Sequence, residues 1–280
     1  MHFDRPITET IRARRSVRTY SAEAIEPGKL HLLQQACASV GEAPFGEDAR
    51  FRVVDRPFER GAPVNVSDYG LQRNPRYFFT GAIKASGMAL EGYGHLLEHL
   101  VLRATELGLG TCWMGYFNRG FFADFELAQD ELFPATSVVG VPAERPRLGE
   151  RMIRFAIRAD ARKEWKELFF RGAFGTPLSK AEAGDHAEPL EMLRLAPSSG
   201  NTQPWRVVKQ EGEDVYHLYL RKVKQSYYDA GMHNIDIGIA MSHLELTARE
   251  MGLDGQWGVA DPELRSVPND TEYRVSWVGK

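Results

Sequence analysis

Gly94-His95-Leu96-Leu97-Glu98-His99-Leu100-Val101-Leu102 and Gly238-Ile239-Ala240-Met241-Ser242-His243-Leu244-Glu245-Leu246 stand 144 residues apart and read as one piece of helix written twice. The same offset continues without a gap. Ala104 meets Ala248, Glu106 meets Glu250, Gly108 meets Gly252, Leu109 meets Leu253 and Trp113 meets Trp257. Nine of the twenty positions from 94 to 113 are identical to their counterparts. Two unrelated amphipathic helices would share leucines, but would not so easily share glycine and tryptophan in register. Two weaker correspondences extend the repeat: Leu190 to Ala196 answers Leu30 to Ala36, and Arg206-Val207-Val208 answers Arg52-Val53-Val54. Self-similarity of this kind marks a duplicated structural unit. The helices expected at 90 to 107 and 234 to 251 each carry an apolar stripe that one copy could not bury alone. They are therefore expected to pack on each other about a pseudo-two-fold axis.

Local signals fill in the rest. Ile7 to Arg14 has helical spacing, and Glu26-Pro27 opens a second helix with proline in its first turn. Short strands are expected at 51 to 54, 76 to 85 and 136 to 141, where β-favouring side chains cluster. Gly108-Leu109-Gly110 stops the central helix, and Thr111 to Gly115 follows as an extended segment. Residues 55 to 76, rich in Pro, Arg and Asp, read as irregular. The fold class is α+β, with antiparallel-rich sheets packed by helices. Residues 1–170 form the first half and 171–280 a shorter second half, together one compact unit.

Composition narrows the function. The 280 residues are 43% hydrophobic, enough for a sizeable core, and carry a net charge of −3, which implies no general affinity for nucleic acid. Met1-His2-Phe3-Asp4-Arg5 lacks a signal-peptide layout and no apolar run suffices to span a membrane, so a cytoplasmic location is expected. Cys37 and Cys112 lie in apolar surroundings and read as buried thiols. The scattered histidines give no metal-ligand spacing.

Three segments carry chemistry. Ala196-Pro197-Ser198-Ser199-Gly200-Asn201-Thr202-Gln203-Pro204-Trp205 is a loop of short side chains that both donate and accept hydrogen bonds, stiffened by proline at each end. Such a loop suits the edge of a flat heteroaromatic ring. Arg14-Arg15-Ser16-Val17-Arg18-Thr19-Tyr20 gathers three guanidinium groups around a serine, a donor set suited to a phosphate monoester. Leu107-Gly108-Leu109-Gly110-Thr111-Cys112-Trp113-Met114-Gly115 ends on a glycine that lets backbone approach a planar ring. Together these segments resemble the nitroreductase family. Arg162-Lys163-Glu164-Trp165-Lys166-Glu167-Leu168 resembles the run that closes the family domain, with Glu164 where relatives have proline. It lies at the end of a basic tract that also holds Arg145, Arg147, Arg151, Arg154 and Arg158.

The resemblance implies an FMN-dependent oxidoreductase that takes hydride from NADH or NADPH and reduces a small-molecule acceptor such as a nitroaromatic or a quinone. It implies phosphate contacts from Arg14, Arg15, Ser16, Arg18, and Arg162 or Lys163. Ring-edge contacts would come from Pro197, Ser198, Ser199, Asn201 and Gln203. The backbone around Trp113, Met114 and Gly115 would lie near the flavin N5, and no side-chain nucleophile is required. Acceptor choice would fall to the 55 to 76 region and to Tyr227 and Tyr228. The halves have diverged. The first keeps the arginines, but the place of its ring-edge loop is taken by Cys37-Ala38-Ser39-Val40-Gly41-Glu42, and the second keeps the loop without the arginines. One composite flavin site per chain, bound between the halves of a monomer, is expected. A flavin-consuming or dehalogenating relative, or a flavin-binding protein without turnover, are the alternative readings.

Overall fold

A computed structural model describes residues 1–57, 66, 72–145, 150, 152, 155, 156 and 158–280. The chain divides into two compact units, one of residues 1–89 and 96–159, the other of residues 90–95 and 160–280.

The first unit holds helices α1 (Ile7–Ala13) and α2 (Pro27–Ala38) and most of α3 (Ala89–Glu106). Its strands are β1 (Ala49–Asp55), β2 (Tyr77–Lys84), β3 (Gly110–Met114), β4 (Glu131–Leu132) and β5 (Thr136–Gly140). They form an antiparallel sheet in the order β1-β2-β5-β3, with β4 also paired to β2. β2 is buried from Tyr77 to Ile83 and β5 throughout, as expected of apolar central strands. A core of Val17, Tyr20, Phe78, Met114, Phe122, Phe125, Phe133 and Val138 fills one face. Its rings meet edge to face, as Phe78 and Phe122 do at 5.3 Å between centroids.

The second unit holds α4 (Trp165–Leu168), β6 (Phe169–Arg171), α5 (Lys180–Ala183), α6 (Ala187–Leu195), β7 (Trp205–Lys209) and β8 (Val215–Arg221). These are followed by α7 (Gln225–Asp229), α8 (Met232–Glu250), β9 (Gly255–Gly258) and β10 (Thr271–Gly279). The sheet order is β6-β7-β8-β10-β9, antiparallel except for the β6–β7 pair. Without β4 and β6 the two sheets read β1-β2-β5-β3 and β7-β8-β10-β9, the same order of corresponding strands. The repeat read from the central helix is thus a repeat of topology. No helix of the described residues is long and apolar enough to cross a membrane.

Residues 90–95 of α3 belong to the second unit and cross α8 there. A Cβ on Gly94 would overlap the Ile235 carbonyl, and one on Gly238 would overlap the Glu91 carbonyl. Positions 94 and 238, and positions 91 and 235, are separated by the repeat offset of 144, so the two contacts map onto each other. This local two-fold relation explains why glycine recurs in register: backbone meets backbone, and neither neighbour can rotate away.

The recurring tryptophan has a reason too. Trp113 Nε1 donates to Glu98 Oε2 at 2.7 Å, and Trp257 Nε1 donates to Glu245 Oε2 at 2.7 Å. In each half an indole on the strand after the central helix is tied to a buried helical carboxylate, supplied from positions that differ by one turn. Glu245 also meets His95 Nε2 at 2.7 Å and Arg249 Nη2 at 2.6 Å, so its charge is well compensated.

Candidate cofactor site

The arginine segment is positioned by α1 and β3. α1 stops at Ala13, and Arg14 donates its N–H to Thr10 O at 3.0 Å before the chain extends. Ser16 bridges Thr111 in parallel, and Val17 N–H reaches Thr111 O at 2.8 Å. The segment therefore runs along β3 and brings Arg14–Arg18 beside Thr111–Gly115, two stretches nearly a hundred residues apart in sequence. Tyr20 Oη donates to Val17 O at 2.6 Å, and burial pushes its pKa upward, which keeps it a donor. Arg15 is exposed and pairs with no carboxylate among the described residues. Arg18 donates its backbone N–H to Glu150 Oε1 at 3.2 Å, while Thr19 Oγ1 donates to Glu150 Oε2 at 2.6 Å. The Arg18 Nη1 atom is shut off from solvent with no hydrogen-bond partner among the described residues.

Trp113 is half-buried with its indole N–H engaged by Glu98, and the Met114 side chain lies in the aromatic core. What this segment offers outward is backbone, at the half-buried Gly115 just past the strand end.

The loop expected at the ring edge follows α6 and is folded against its own preferences. Gly200, Asn201 and Gln203 all have left-handed φ, of 57°, 57° and 48°. Asparagine tolerates this conformation and glutamine does so less readily, so the loop stores strain that its surroundings must offset. Ser199 N–H donates to Asp236 Oδ1 at 2.8 Å and Ser199 Oγ to the same oxygen at 3.2 Å. Gln203 N–H donates to Ser198 Oγ at 2.9 Å, and Gln203 Nε2 donates to Asn201 O at 3.2 Å. Lys163 N–H donates to Gln203 Oε1 at 2.7 Å. The Arg162 guanidinium donates to Leu195 O at 3.1 Å, Ala161 O at 2.9 Å and Asn201 Oδ1 at 3.3 Å. The structure thus brings Arg162 and Lys163 to the loop, and it engages Ser199, Asn201 and Gln203 in holding the loop's shape. Ser198 Oγ accepts one bond and keeps its hydrogen, and the Gly200 N–H donates to nothing among the described residues. A Cβ on Gly200 would press on the Tyr227 ring, at 2.9 Å from Cε2. Tyr228, also expected near the acceptor, donates its hydroxyl to Glu272 Oε2 at 3.0 Å.

Sequence reasoning missed the anchor of this loop. Asp236 sits on α8 with 2% of its surface exposed, and its Oδ2 meets His233 Nδ1 at 3.2 Å. His233 Nε2 accepts the Lys224 N–H at 3.4 Å, which leaves Nδ1 to donate to the aspartate. Burial raises the Asp236 pKa, and the hydrogen bonds from His233 and Ser199 oppose it. The available signal was a charge inside an apolar helical run, Ile235-Asp236-Ile237. Arg147, Arg151 and Arg154 of the basic tract lie outside the described residues, as does most of the 55 to 76 region.

A family model described as "Putative TM nitroreductase" matches residues 6–248. No curated protein sequence matches the chain significantly. Among solved structures, a "putative nitroreductase" from Thermotoga maritima is 20% identical with a TM-score of 0.61, over 99% of this chain and 95% of that one. A nitroreductase with bound FMN from Bacteroides fragilis is 18% identical with a TM-score of 0.41, over 51% of this chain and 92% of that one. A nitroreductase family protein from Clostridium difficile is likewise 18% identical with a TM-score of 0.40, over 55% and 92% of the two chains. The family match spans most of the chain, and the Thermotoga structure shares its fold from end to end: the chain belongs to the nitroreductase family.

Proposed function

We propose that the chain is an FMN-dependent oxidoreductase which uses NADH or NADPH to reduce a small acceptor of the nitroaromatic or quinone type. The observation that carries the reading is the strained Ser198–Gln203 loop. Strain of this kind persists where it serves a site, and this loop ends with a hydroxyl hydrogen and a backbone N–H open to a ligand. Family membership supplies the ligand class.

The donor set fits the cofactor. Arg15 is a cation without a carboxylate partner among the described residues, and Arg14, Ser16 and Arg18 share its segment. A doubly charged phosphate needs such a set, because burying it without cations would cost several kcal/mol, on the order of the penalty for an unpaired charge. Ser198 and Gly200 would donate to carbonyl edges of the ring. The Met114–Gly115 backbone would stand near N5, close to the arginine segment that β3 already holds. Bound FMN supplies the two-electron chemistry, so the protein's tasks are binding, orientation and exclusion of water. The chain is proposed to act as a monomer, with residues 1–170 contributing the phosphate anchor and residues 171–280 the ring-edge loop. Anaerobic mixing of FMN-loaded protein with NADH or NADPH tests the activity. Bleaching of the flavin absorbance and its return on adding an acceptor are expected; an absorbance unchanged by both nucleotides would overturn the reading.

A further inference from the structure

The Gly200 N–H, one of the two open donors of the Ser198–Gln203 loop, is held in place from outside the loop. Gly200 has φ of 57°, and the space a side chain would take there is filled by Tyr227. A Cβ at 200 would lie 2.9 Å from Tyr227 Cε2 and 3.1 Å from its Oη. Tyr227 belongs to α7, whose five residues are too few to hold a helix by themselves. Side-chain bonds fasten it. Tyr228 Oη donates to Glu272 Oε2 at 3.0 Å, and Gln225 Nε2 donates to Asp229 Oδ1 at 2.6 Å.

The Tyr227 ring is itself held by two neighbours. The Lys224 ammonium lies 3.9 Å from its centroid, a cation–π contact. His233 meets it edge to face at 6.1 Å between centroids and 87° between planes. Lys224 donates its backbone N–H to the same His233, whose Nδ1 meets Asp236. Consecutive loop residues are thus held by two branches of one connected set: Asp236 takes the Ser199 N–H, and Tyr227 packs beside Gly200. The neighbouring tyrosine is placed differently. Lys222 lies 4.4 Å from the Tyr228 centroid and pairs with Glu272 at 3.3 Å, which ties Tyr228 to β10 instead of to the loop.

We propose that Tyr227 is a positioning residue for the ring-edge loop. Backed by Lys224 and His233, it keeps Gly200 in the left-handed conformation and so holds the Gly200 N–H toward the carbonyl edge of the ligand. Its role is then on the loop, not in the choice of acceptor. In naming the flavin ring as that ligand, the proposal rests on the flavin-dependent reading.

The test compares full-length Tyr227→Ala and Tyr227→Phe with the unmodified chain, using FMN as the probe. Tyr227→Ala should raise the FMN dissociation constant about tenfold, the weight of one misaligned hydrogen bond, and shift the visible absorption of the bound flavin. Tyr227→Phe keeps the ring and its contact with Lys224, and should bring the affinity back to within about threefold. The ratio of Michaelis constants for a nitroaromatic and a quinone should not move in either variant. Gly200→Ala should weaken FMN less in the Tyr227→Ala background than in the unmodified chain, because the ring it presses on is gone. If Tyr227→Ala does not fold, Lys224→Met takes its place, with a smaller shift in the same direction. Hydrogen exchange on the flavin-free protein needs no ligand. Asn201 N–H donates to Ser198 O at 2.9 Å across Gly200, and its exchange should quicken about tenfold in Tyr227→Ala and not in Tyr227→Phe. If FMN fails to bind even the unmodified chain, the flavin reading falls and the exchange result decides the proposal. The proposal is overturned if Asn201 exchange is unchanged in Tyr227→Ala, or if that variant moves the acceptor ratio while FMN affinity stays as it was.

Discussion

Gly92 and Asp236 occupy equivalent positions of the repeat, as do Ala89 and His233. In the second half the aspartate and histidine anchor the Ser198–Gln203 loop. In the first half neither side chain exists, and the loop after α2 is an ordinary connection. Ser39 donates its N–H and hydroxyl back to Gln35 O, at 3.0 and 2.9 Å, and the positive φ values in this connection fall on glycines, Gly41 and Gly46. The left-handed Ser198–Gln203 loop and its Asp236 anchor are present together in one half and missing together from the other. The arginine segment shows the reverse, standing on β3 of the first unit alone. Strand order and the glycine at the helix crossing recur in both halves, whereas the arginine segment and the anchored loop are divided between them.

The shared part should be the costliest to disturb. Gly238→Val would force a side chain into the Glu91 carbonyl, which cannot yield by rotamer change. A loss of about 3 kcal/mol or more, or failure to fold, is expected, at the upper end of overpacking. Urea unfolding measures it, and Gly94→Val should behave alike because its contact is the repeat-related one. A near-neutral result at either position would break the equivalence of the two halves.

The divided part should give smaller and more local effects. Asp236→Ala leaves Ser199 and His233 without their acceptor and is expected to cost about 3 kcal/mol in stability, the range for an unsatisfied buried group bonded to a charge. Asp236→Asn keeps the shape and should cost less. Both should weaken FMN binding more than Gly92→Ala does, as titration by flavin fluorescence would show. Arg14→Ala should weaken FMN by about 1.5–3 kcal/mol, the value of a charge-assisted hydrogen bond, and riboflavin hardly at all. Flavin retained equally after dialysis of that variant would remove the phosphate role.

A last contrast concerns β4, which has no counterpart in the second sheet. Arg50 on β1 clasps Glu131 on β4 with Nε–Oε1 at 2.8 Å and Nη2–Oε2 at 2.7 Å. The Arg50 hydrogen bonds hold the Glu131 carboxyl at about 2. Its folded value lies below its unfolded value, so the stabilisation is present above about pH 4.5 and lost as pH falls toward 2. Arg50 is about half exposed, so the pair is worth about 1 kcal/mol or less. Melting curves of Glu131→Gln should differ from those of the unmodified protein at pH 6 and converge by pH 2.

Much of the fold was legible because it rests on patterns that sequence carries directly. The helices expected at 90 to 107 and 234 to 251 are found at Ala89–Glu106 and Met232–Glu250, and Pro27 opens α2 as its fixed φ allows. β8, β9 and β10 were not read out. β9 is only Gly255–Gly258, and β10 follows a stretch of turns and breaks its alternation with a bulge between Tyr273 and Val275. The loop at 198–203 was legible as a loop, but its left-handed backbone was not. That conformation is imposed from outside by Asp236, 37 residues away from Ser199 in sequence, and by Lys163, 40 residues before Gln203. Local propensity contains neither partner. Arg206 was legible only as the counterpart of Arg52 in the repeat, and the folded sheet shows it buried where Arg52 is exposed.

The central claim is that each chain carries one complete set of flavin-binding parts, the arginine segment of the first half and the anchored loop of the second. The direct measurement is the ratio of flavin to chain after saturation with FMN and desalting, with the mass of the protein followed by light scattering. One flavin per chain on a monomer is predicted. A ratio near two would show that the half without Asp236 still binds, and a ratio near one-half on a dimer would show two chains sharing one site; either would contradict the account.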